Sequence, residues 1–523
     1  MLKLRYFLPL LLFVSGALSV ALPGCKPREE ELQTTGGLAF SADTVKFDTV
    51  FTTIRTVTKR LWVYNRNPKA VNVDLVSLDN PATSPYTLLI NGDLKQTASN
   101  LYIRGNDSLL ILVRAQLKDS GQNGAAKTYV QQENLNFRTN GQDQHVLLRS
   151  FGQNIYLHQD TALPCNEVWA NDRPHVLYGL VVVPATCTLR IKPGTRIYAH
   201  AGARLVVQGT LLVNSPADYN PTGATDTVKA SNAKIVRFVG DRSAETQYAT
   251  APGQWTGIEF DASSRGNVIR YAQIQNATFG VFLYNPTPQK QAFRPDLLLQ
   301  NSVIRYISGA SVSVAGAASN LGLSGAGVLS VSGDVRLENT LLSDCYEYAV
   351  LGYGASVLAL NYCTIANYPA TAAVRSTPSL AFTNVSLDGQ VKYTNGQLLS
   401  VLNSIVWGSI DEELLLQNYD DYKAAVSIKN SVLKTKAYAG AADVPATTTT
   451  PALAGLAAPA YANLFTDPKF VRINTAVSND YHLSPGSPAL ASKTALPPLV
   501  PRDLLNLLRN VATPDLGAYE TTK

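Results

Sequence analysis

Residues 189–197 read LRIKPGTRI and residues 203–213 read ARLVVQGTLLV. Apolar and polar positions alternate over short runs, as in short β-strands, and glycine-containing corners separate the runs. No segment between them has the length of a helix, so these strands cannot be joined as βαβ units. They can be built as coils of a parallel β-helix, in which each strand pairs with its counterpart one coil away.

These segments resemble the first coils of right-handed parallel β-helix proteins, which read Ile-x-Pro-Gly-Thr and then Leu-x-Val-x-Gly-Thr-Leu. Residues 252–258, PGQWTGI, match a Gly-x-Trp-x-Gly-Ile segment that is common in the same proteins. The resemblance implies a right-handed parallel β-helix, which we place at residues 159–433.

Internal repeats support the assignment of these short strands to the coils of a β-helix. Residues 268–271, VIRY, recur at 303–306, and an asparagine beside aliphatic or aromatic residues recurs at steps of about one coil. These asparagines are Asn301, Asn339, Asn361, Asn384, Asn403 and Asn430. Unless they recur by chance, we expect their side chains to stack at a coil corner. We predict an inward-facing column two residues after each of them, formed by Val303, Leu341, Cys363, Ser386, Ile405 and Val432.

The N-terminus predicts export. Residues 1–24 have a basic start and an apolar stretch of signal-peptide length, and Cys25 follows in a segment that resembles the bacterial lipobox. The resemblance implies a lipid on Cys25, which would hold the protein at a membrane, and the charged linker 25–37 resembles a surface-export signal. We therefore expect a surface-exposed outer-membrane lipoprotein of the cell envelope. The alternative is an ordinary secretory signal with an incidental cysteine.

Residues 38–158 predict a separate β-domain. About seven short strands alternate with turn signals, and Asn140-Gly141 predicts a tight hairpin. This number of strands in about 120 residues favours an Ig-like β-sandwich that acts as a spacer. The whole chain is therefore predicted to be all-β.

Four cysteines follow Cys25. Cys165 and Cys187 are 22 residues apart, about one coil, so we expect them to stack and form a disulfide. Cys345 and Cys363 occupy different positions relative to their asparagines, so they should not share a column. Buried free thiols are at least as good an interpretation as a second disulfide. No CxxC or Cys/His cluster occurs, so we expect no metal site.

The C-terminus carries a second resemblance. Residues 434–460 form a predicted low-complexity loop, and residues 461–523 contain DYHLSPGSPA at 480–489 and PDLGAYE at 514–520. These motifs resemble the ending of bacterial surface β-helix proteins called choice-of-anchor proteins. We expect the segment to be a last coil and a cap over the open end of the solenoid.

Catalytic candidates are few. A glycoside hydrolase needs two facing carboxylates, and a polysaccharide lyase needs a base and often calcium. The acidic clusters in the coils are Asp241 with Arg242, Glu259 with Asp261, and residues 411–413. We interpret the first as a local ion pair or turn and the other two as solvated surface. His200 and His482 are interpreted as structural, and no cofactor is expected apart from calcium in a lyase.

The sequence therefore favours a surface scaffold that binds an extended ligand, plausibly a polysaccharide, without catalysis. The net charge of +6 is dispersed and no basic run alternates with aromatic residues, which argues against nucleic acid as a partner. Tyrosines in or near the coils are candidates for stacking on sugar rings. They are Tyr271, Tyr306, Tyr346, Tyr348 and Tyr353.

Two alternatives remain, a lyase or glycoside hydrolase and a structural adhesin. An enzyme should bring three or more acids together with Arg or Lys in one groove. A binding protein should show an aromatic strip, and an adhesin should show neither.

Overall fold

The computed structural model describes residues 32–121, 128–227, 229, 231–287, 294–315, 320–369, 375–394, 398–473, 479–492 and 496–521. The predicted signal peptide and Cys25 lie outside these residues. The chain divides into two compact units, one ending at residue 154 and the other formed mainly by residues 155–523. Both are built from strands and loops, so the fold is all-β. Short helices occur at Tyr419–Tyr422, Lys423–Ala425 and Pro459–Tyr461.

The first unit contains two five-stranded sheets that share one hydrophobic core. One sheet has the order Ala39–Phe40, Lys59–Tyr64, Ser108–Ala115, Tyr86–Ile90 and Asp93–Leu94. The other has the order Thr44–Phe51, Gln142–Gln153, Thr128–Thr139, Val71–Leu78 and Thr97–Ile103. The predicted hairpin is confirmed, because Asn140 and Gly141 both have positive φ and connect two antiparallel strands.

The second unit is a stack of parallel coils, each of which contributes strands to three ladders. The 17-stranded sheet splits into two of them, sheet A and sheet B, which share the long strands Tyr156–Ala162 and His175–Val183. Beyond these, sheet A contains Arg196–Ala199, Val236–Gly240, Ala272–Gln275, Val303–Arg305, Leu341–Ser343, Thr364–Asn367, Ile405–Gly408 and Val432–Leu433. Sheet B contains Arg204–Val207, Gly257–Asp261, Val281–Tyr284, Ala326–Val331, Tyr348–Tyr353, Leu380–Thr383 and Leu414–Gln417.

The third ladder, sheet C, is the nine-stranded sheet. Its strands are Glu167–Trp169, Thr188–Ile191, Thr210–Val213, Asn267–Arg270, Asp296–Gln300, Asp334–Glu338, Val357–Asn361, Leu398–Leu402 and Val426–Lys429. Two antiparallel hairpins lie outside the coils, Ser311–Ser313 with Asn320–Ser324 and Phe470–Arg472 with Asp480–Leu483.

Alternation along each short strand builds the core. In sheet C the register places buried apolar side chains above one another from Trp169 and Ile191 to Val401 and Ile428. Each strand inserts alternate residues into the interior and turns the others outward. The parallel coils predicted from residues 189–213 are therefore present.

Asparagines mark the corner between sheet C and sheet A. Asn301, Asn339, Asn403 and Asn430 all have φ between 46° and 51°, a left-handed conformation that asparagine tolerates better than most residues. Asn430 donates to Asn403 Oδ1 at 2.7 Å, and Asn403 donates to Asn361 Oδ1 at 2.9 Å. The stacking predicted from the repeat is present here.

Two predicted members of this stack do not occupy the left-handed corner position, although the Asn361 side chain still joins the stack. Asn361 is the last residue of its strand, and Tyr362 takes the left-handed corner position. Asn384 follows a strand of sheet B and accepts a hydrogen bond from Asn418 at 3.2 Å, so it belongs to a different corner. The sequence steps could not distinguish the corners because each coil has three.

The predicted inward-facing column was correct for Cys363 and wrong for Val303, Leu341, Ile405 and Val432. Val303, Leu341, Thr364, Ile405 and Val432 are in register on sheet A, but they point outward, and the next residue along each strand enters the core. The left-handed corner residue shifts the alternation by one position. Cys363 therefore points inward, while Ser386 lies beyond sheet B. We call the five outward residues the apolar half of sheet A.

The C-terminal segment covers this apolar half, not the open end of the solenoid as expected. Leu483, Leu504, Leu516 and Tyr519 pack against it. Residues 496–503 run along the asparagine corner, where the side-chain amides donate to backbone carbonyls of the segment. These bonds are Asn403 to Leu496, Asn361 to Pro498, Asn339 to Arg502 and Asn301 to Asp503, at 2.6–3.0 Å.

The last coil is covered by a different part of the chain. Tyr438, Ala452, Ala454 and Leu456 join the solenoid core, although they fall in the segment expected to be a low-complexity loop. Tyr438 accepts a hydrogen bond from Leu416 N at 2.9 Å on its hydroxyl. Small residues allow this segment to pack closely under the last strands.

The cysteines follow the coil register. Cys165 and Cys187 form a disulfide, with Cα atoms 4.8 Å apart and one coil between them. Cys345 and Cys363 are buried free thiols. Burial raises the pKa of both thiols to about 12, which keeps them protonated and unreactive.

Candidate functional site

A polar pocket of about 250 Å³ lies on the outer face of sheet A, where the C-terminal segment begins to cover it. Its lining brings together residues separated by almost 300 positions in the sequence. The lining residues are Asp226, Lys229, Arg305, Tyr306, Leu341, Ser343, Asp344, Arg472, Asn479, Asp480, Tyr481, His482 and Tyr519. Three carboxyl groups therefore share one cavity with two arginines and a lysine.

Asp344 is the most buried acid of the pocket, at 5% exposed. Its Oδ1 accepts hydrogen bonds from the Tyr481 hydroxyl at 2.7 Å and from Asn479 at 2.9 Å, and its Oδ2 accepts one from Ser343 at 2.8 Å. Burial nevertheless raises the pKa of Asp344, because loss of water outweighs these bonds.

Asp480 has the opposite environment. Its Oδ1 accepts hydrogen bonds from the His482 ring Nδ1 at 2.7 Å and from the His482 backbone at 3.1 Å. Partial burial acts to raise the pKa of Asp480, but the contacts with His482 outweigh it and the pKa is lowered. The pocket thus holds one carboxyl group whose pKa is raised and one whose pKa is lowered.

Aromatic rings contribute to the pocket lining. The His482 ring stacks on Tyr519 with centroids 4.1 Å apart, and the Arg305 guanidinium lies 5.0 Å from the centre of the Tyr306 ring. Tyr481 and Tyr519 are buried, while Tyr306 is partly exposed. Flat apolar surfaces beside many hydrogen-bonding groups are what a small polar ligand with an apolar ring face requires.

The predicted catalytic candidates lie outside this pocket. Asp241 and Arg242 lie in a turn, one of the two arrangements expected, and do not pair with each other. Asp241 accepts a hydrogen bond from His200 Nδ1 at 2.6 Å, and Arg242 binds both oxygens of Glu245 at 2.8 and 3.0 Å. The His200 ring stacks on Tyr178 with centroids 4.1 Å apart. These contacts hold coil corners together.

Glu259 and Asp261 share the outer face of sheet B, as their spacing predicts, but Glu259 is not solvated. It is 2% exposed and accepts a hydrogen bond from Arg204 at 2.5 Å. The hairpin that starts at Ser311 covers this ion pair, since Ser313 accepts a bond from Arg204 and Ala315 N donates to Glu259. Burial raises the pKa of Glu259.

The expectation of a solvated 411–413 cluster was correct for Asp411 and wrong for Glu413. Glu413 is fully buried and accepts hydrogen bonds from Arg375 on both oxygens, at 3.0 and 2.8 Å. Asp411 is exposed and pairs with Lys436 at 2.6 Å. The Arg375–Glu413 pair fixes a loop and does not line the pocket.

The candidate tyrosines separate into four groups. Tyr346 is half-buried outside the pocket lining, and its backbone N donates to the Ile307 carbonyl at 2.9 Å. Tyr271 is buried and donates to Asn506 at 3.1 Å, so it is structural. Tyr348 and Tyr353 pack on the partly covered outer face of sheet B. Tyr306 is the candidate that the structure places in the pocket.

Sequence reasoning missed most of the pocket because no short motif contains it. His482 and Tyr519 lie in the C-terminal motifs, but those motifs were interpreted as an end cap. Among the described residues, no group of His, Cys, Asp and Glu is arranged to hold a metal ion, and no helix is long and apolar enough to cross a membrane.

No protein-family model and no curated protein matches the sequence. A solved structure of a family 123 glycoside hydrolase from Clostridium perfringens aligns with 50% of this chain and 67% of its own. The identity is 7% and the TM-score is 0.17, values too low to support any inference about this protein.

Proposed function

We propose that this protein is an outer-membrane lipoprotein, anchored through a lipid on Cys25, that binds a polysaccharide in the pocket on sheet A. The fold proposed with it is an Ig-like β-sandwich followed by a right-handed parallel β-helix, with the ending of choice-of-anchor-type surface proteins. The lipobox-like and C-terminal motifs support the location and the family.

The proposal that the protein binds a polysaccharide is based on the pocket. Its polar lining offers donors and acceptors to hydroxyl groups, and Tyr306 and His482 offer ring faces. Its volume of about 250 Å³ is slightly below the range of roughly 300–1,000 Å³ typical of small-molecule sites, which suits the burial of a single sugar unit. The rest of a polymer would then lie along the coils.

Affinity gel electrophoresis against a panel of plant, algal and host polysaccharides tests this proposal. We expect one polymer to retard the wild-type protein, and His482→Ala to remove most of the retardation. His200→Ala is a matched control, because His200 also pairs with an aspartate and stacks on a tyrosine, and its side chain is similarly exposed at 43% against 45% for His482. Equal effects of both substitutions, or no retardation by any polymer, would contradict the proposal and favour an adhesin.

A second candidate function is glycoside cleavage in the same pocket, which brings together three acids, two arginines and a lysine, the combination expected above of an enzyme. It is favoured by Asp344 and Asp480, whose environments move their pKa values in opposite directions, as in acid–base pairs of hydrolases. In this mechanism Asp344 would donate a proton to the leaving oxygen, and Asp480 would act as the charged partner.

Release of reducing ends and of unsaturated uronates, measured with and without calcium, tests for cleavage. If cleavage occurs, Asp344→Asn should abolish product release and leave gel retardation intact, whereas Asp261→Asn on sheet B should retain both. If the wild-type protein releases no product from the polymer that it binds, the protein is a binding protein without catalysis.

A further inference from the structure

Sheet A carries a row of arginines between its first coils and the pocket. On the outer face, Arg196 is in register with Arg237, which is in register with Gln273. Arg305 follows on the next strand, in register with Gln275. Adjacent strands lie about 4.8 Å apart, so the three guanidinium groups span roughly 15 Å along the coil axis. We call Arg196, Arg237 and Arg305 the arginine row.

Two members of the row, Arg237 and Arg305, donate hydrogen bonds to neutral groups. Arg237 donates to the backbone carbonyls of Lys229 at 2.8 Å and Asn232 at 3.0 Å, and Arg305 donates to the Gln275 side chain at 3.1 Å. These partners are neutral, and among the described residues neither arginine forms a salt bridge with a carboxylate. Burial, together with the charges of Arg196 and Arg305, lowers the pKa of Arg237, which indicates that the three cations interact with one another.

Two further cations continue the row into the pocket. Lys229 and Arg472 line the cavity together with Arg305. Two of the three pocket acids have partners outside the row: Asp480 accepts hydrogen bonds from His482, and Asp344 accepts one from the Tyr481 hydroxyl. Like charges in register on adjacent strands are less favourable than apolar or oppositely charged residues at the same positions.

We infer that the arginine row is the binding track for an acidic polysaccharide, whose carboxylate or sulfate groups pair with the guanidinium groups while one sugar unit enters the pocket. This inference rests on the proposed function and adds the substrate class. Guanidinium groups bind such anions through two parallel hydrogen bonds, which lysine cannot reproduce. Because the guanidinium groups are spread along the coil axis, only an extended polymer can contact all three. A free monosaccharide is therefore excluded as the main ligand.

Gel retardation with polygalacturonate, a sulfated galactan and a neutral galactan, in 50–500 mM NaCl, tests the inference. We expect one acidic polymer to bind, more weakly as salt screens the charges, and the neutral galactan to bind far less. The double variant Arg196→Gln/Arg237→Gln should weaken acidic binding about tenfold or more. A matched variant that also removes two cations from the second unit, Arg336→Gln/Lys436→Gln, should change it less than about twofold.

The possible results are distinguishable. Binding of the neutral galactan as tightly as the acidic polymers, with acidic binding unchanged in the row variant, would overturn the inference and leave the proposed function standing. Retention of no polymer would overturn both. Equal losses in the row variant and the matched variant would show unspecific attraction and would also overturn the inference. If Arg196→Gln/Arg237→Gln fails to fold, Arg196→Gln alone is expected to lose about threefold, and the charge-conserving Arg237→Lys should weaken binding through loss of paired hydrogen bonds.

Discussion

The outer face of sheet A divides into two halves, which belong to the same ladder but differ in side-chain polarity and in whether the C-terminal segment covers them. Toward the N-terminal coils it carries Arg196, Tyr198, Arg237, Gln273 and Gln275, which we call the polar half. Toward the C-terminal coils it carries the apolar half, which the C-terminal segment covers. The pocket lies where the two meet. Side-chain polarity on one ladder thus separates the coils that pack against the C-terminal segment from the coils that we propose bind a ligand.

The two halves also differ in what stabilises them. The coils of the apolar half are held by buried contacts and hydrogen bonds with residues distant in the sequence. The first coils of the solenoid have a disulfide and a stack of aromatic rings near their start. Three predictions follow from this difference.

The largest effect is expected where the C-terminal segment is fixed to the coils. Arg509 is 6% exposed, pairs with Glu520 at 3.4 Å and donates to Asn339 and to the Gly517 carbonyl, both at 2.9 Å. Arg509→Ala leaves a buried acid unpaired, so urea unfolding should show a loss of about 3–5 kcal/mol. Arg336→Ala, at an exposed ion pair, should cost less than about 1 kcal/mol. Equal losses would mean that the segment does not stabilise the apolar half.

A smaller effect is expected from the disulfide at the start of the solenoid. It closes a loop of 22 residues, so Cys165→Ala/Cys187→Ala should lower the free energy of unfolding by about 3 kcal/mol. Cys345→Ala, which removes a buried free thiol from the later coils, should cost roughly 1 kcal/mol. Sensitivity to dithiothreitol in the wild type, absent from the double variant, provides an independent check. A wild-type protein insensitive to reductant would contradict the prediction.

The smallest effect is a pH dependence at the same end. His158 Nε2 lies 2.9 Å from His175 Nδ1, and both rings stack on Trp169. Burial lowers the pKa of His158 to about 4, and burial together with His158 lowers that of His175 to about 3. Below pH 6.5 the unfolded chain binds protons that the folded chain excludes, so stability is lost as pH falls from 6.5 toward 3.

The loss between pH 7 and pH 5 should be about 2 kcal/mol per histidine. It is measured by urea unfolding at both pH values, with His158→Gln/His175→Gln as the variant that lacks the dependence. Asp344 acts in the opposite direction, because its raised pKa makes the folded state bind protons more readily as pH falls. If the wild type were as stable at pH 5 as at pH 7, the assignment of this pH dependence to His158 and His175 would be contradicted.

Local pattern was sufficient to predict the coils. The Pro-Gly corners of residues 189–213, the asparagine steps and the Cys165–Cys187 spacing all report the period of one coil, which is a local property. The direction of each side chain was not predictable to the same degree, because a left-handed residue such as Asn339 changes the alternation by one position. Most of the predicted inward column therefore faces outward.

The pocket could not be predicted from the sequence, for a different reason. Arg305 and Asp344 lie on adjacent coils, and Asp480 joins them only because the C-terminal segment turns back along sheet A. A single sequence shows neither that path nor the burial of Glu413. One signal did exist, since Tyr306 stood among the candidate tyrosines and His482 in the C-terminal motif, but nothing in the sequence connected them.

The most direct test of the central claim is a crystal structure of the protein with oligogalacturonate, or with sulfated galactan fragments if that polymer binds better in the gel. We predict one sugar ring in the pocket beside Tyr306 and His482, and acidic groups of the neighbouring units within hydrogen-bonding distance of Arg305 and Arg237. Ordered sugar on the outer face of sheet B, near Tyr284 and Tyr353, with an empty pocket on sheet A would contradict it.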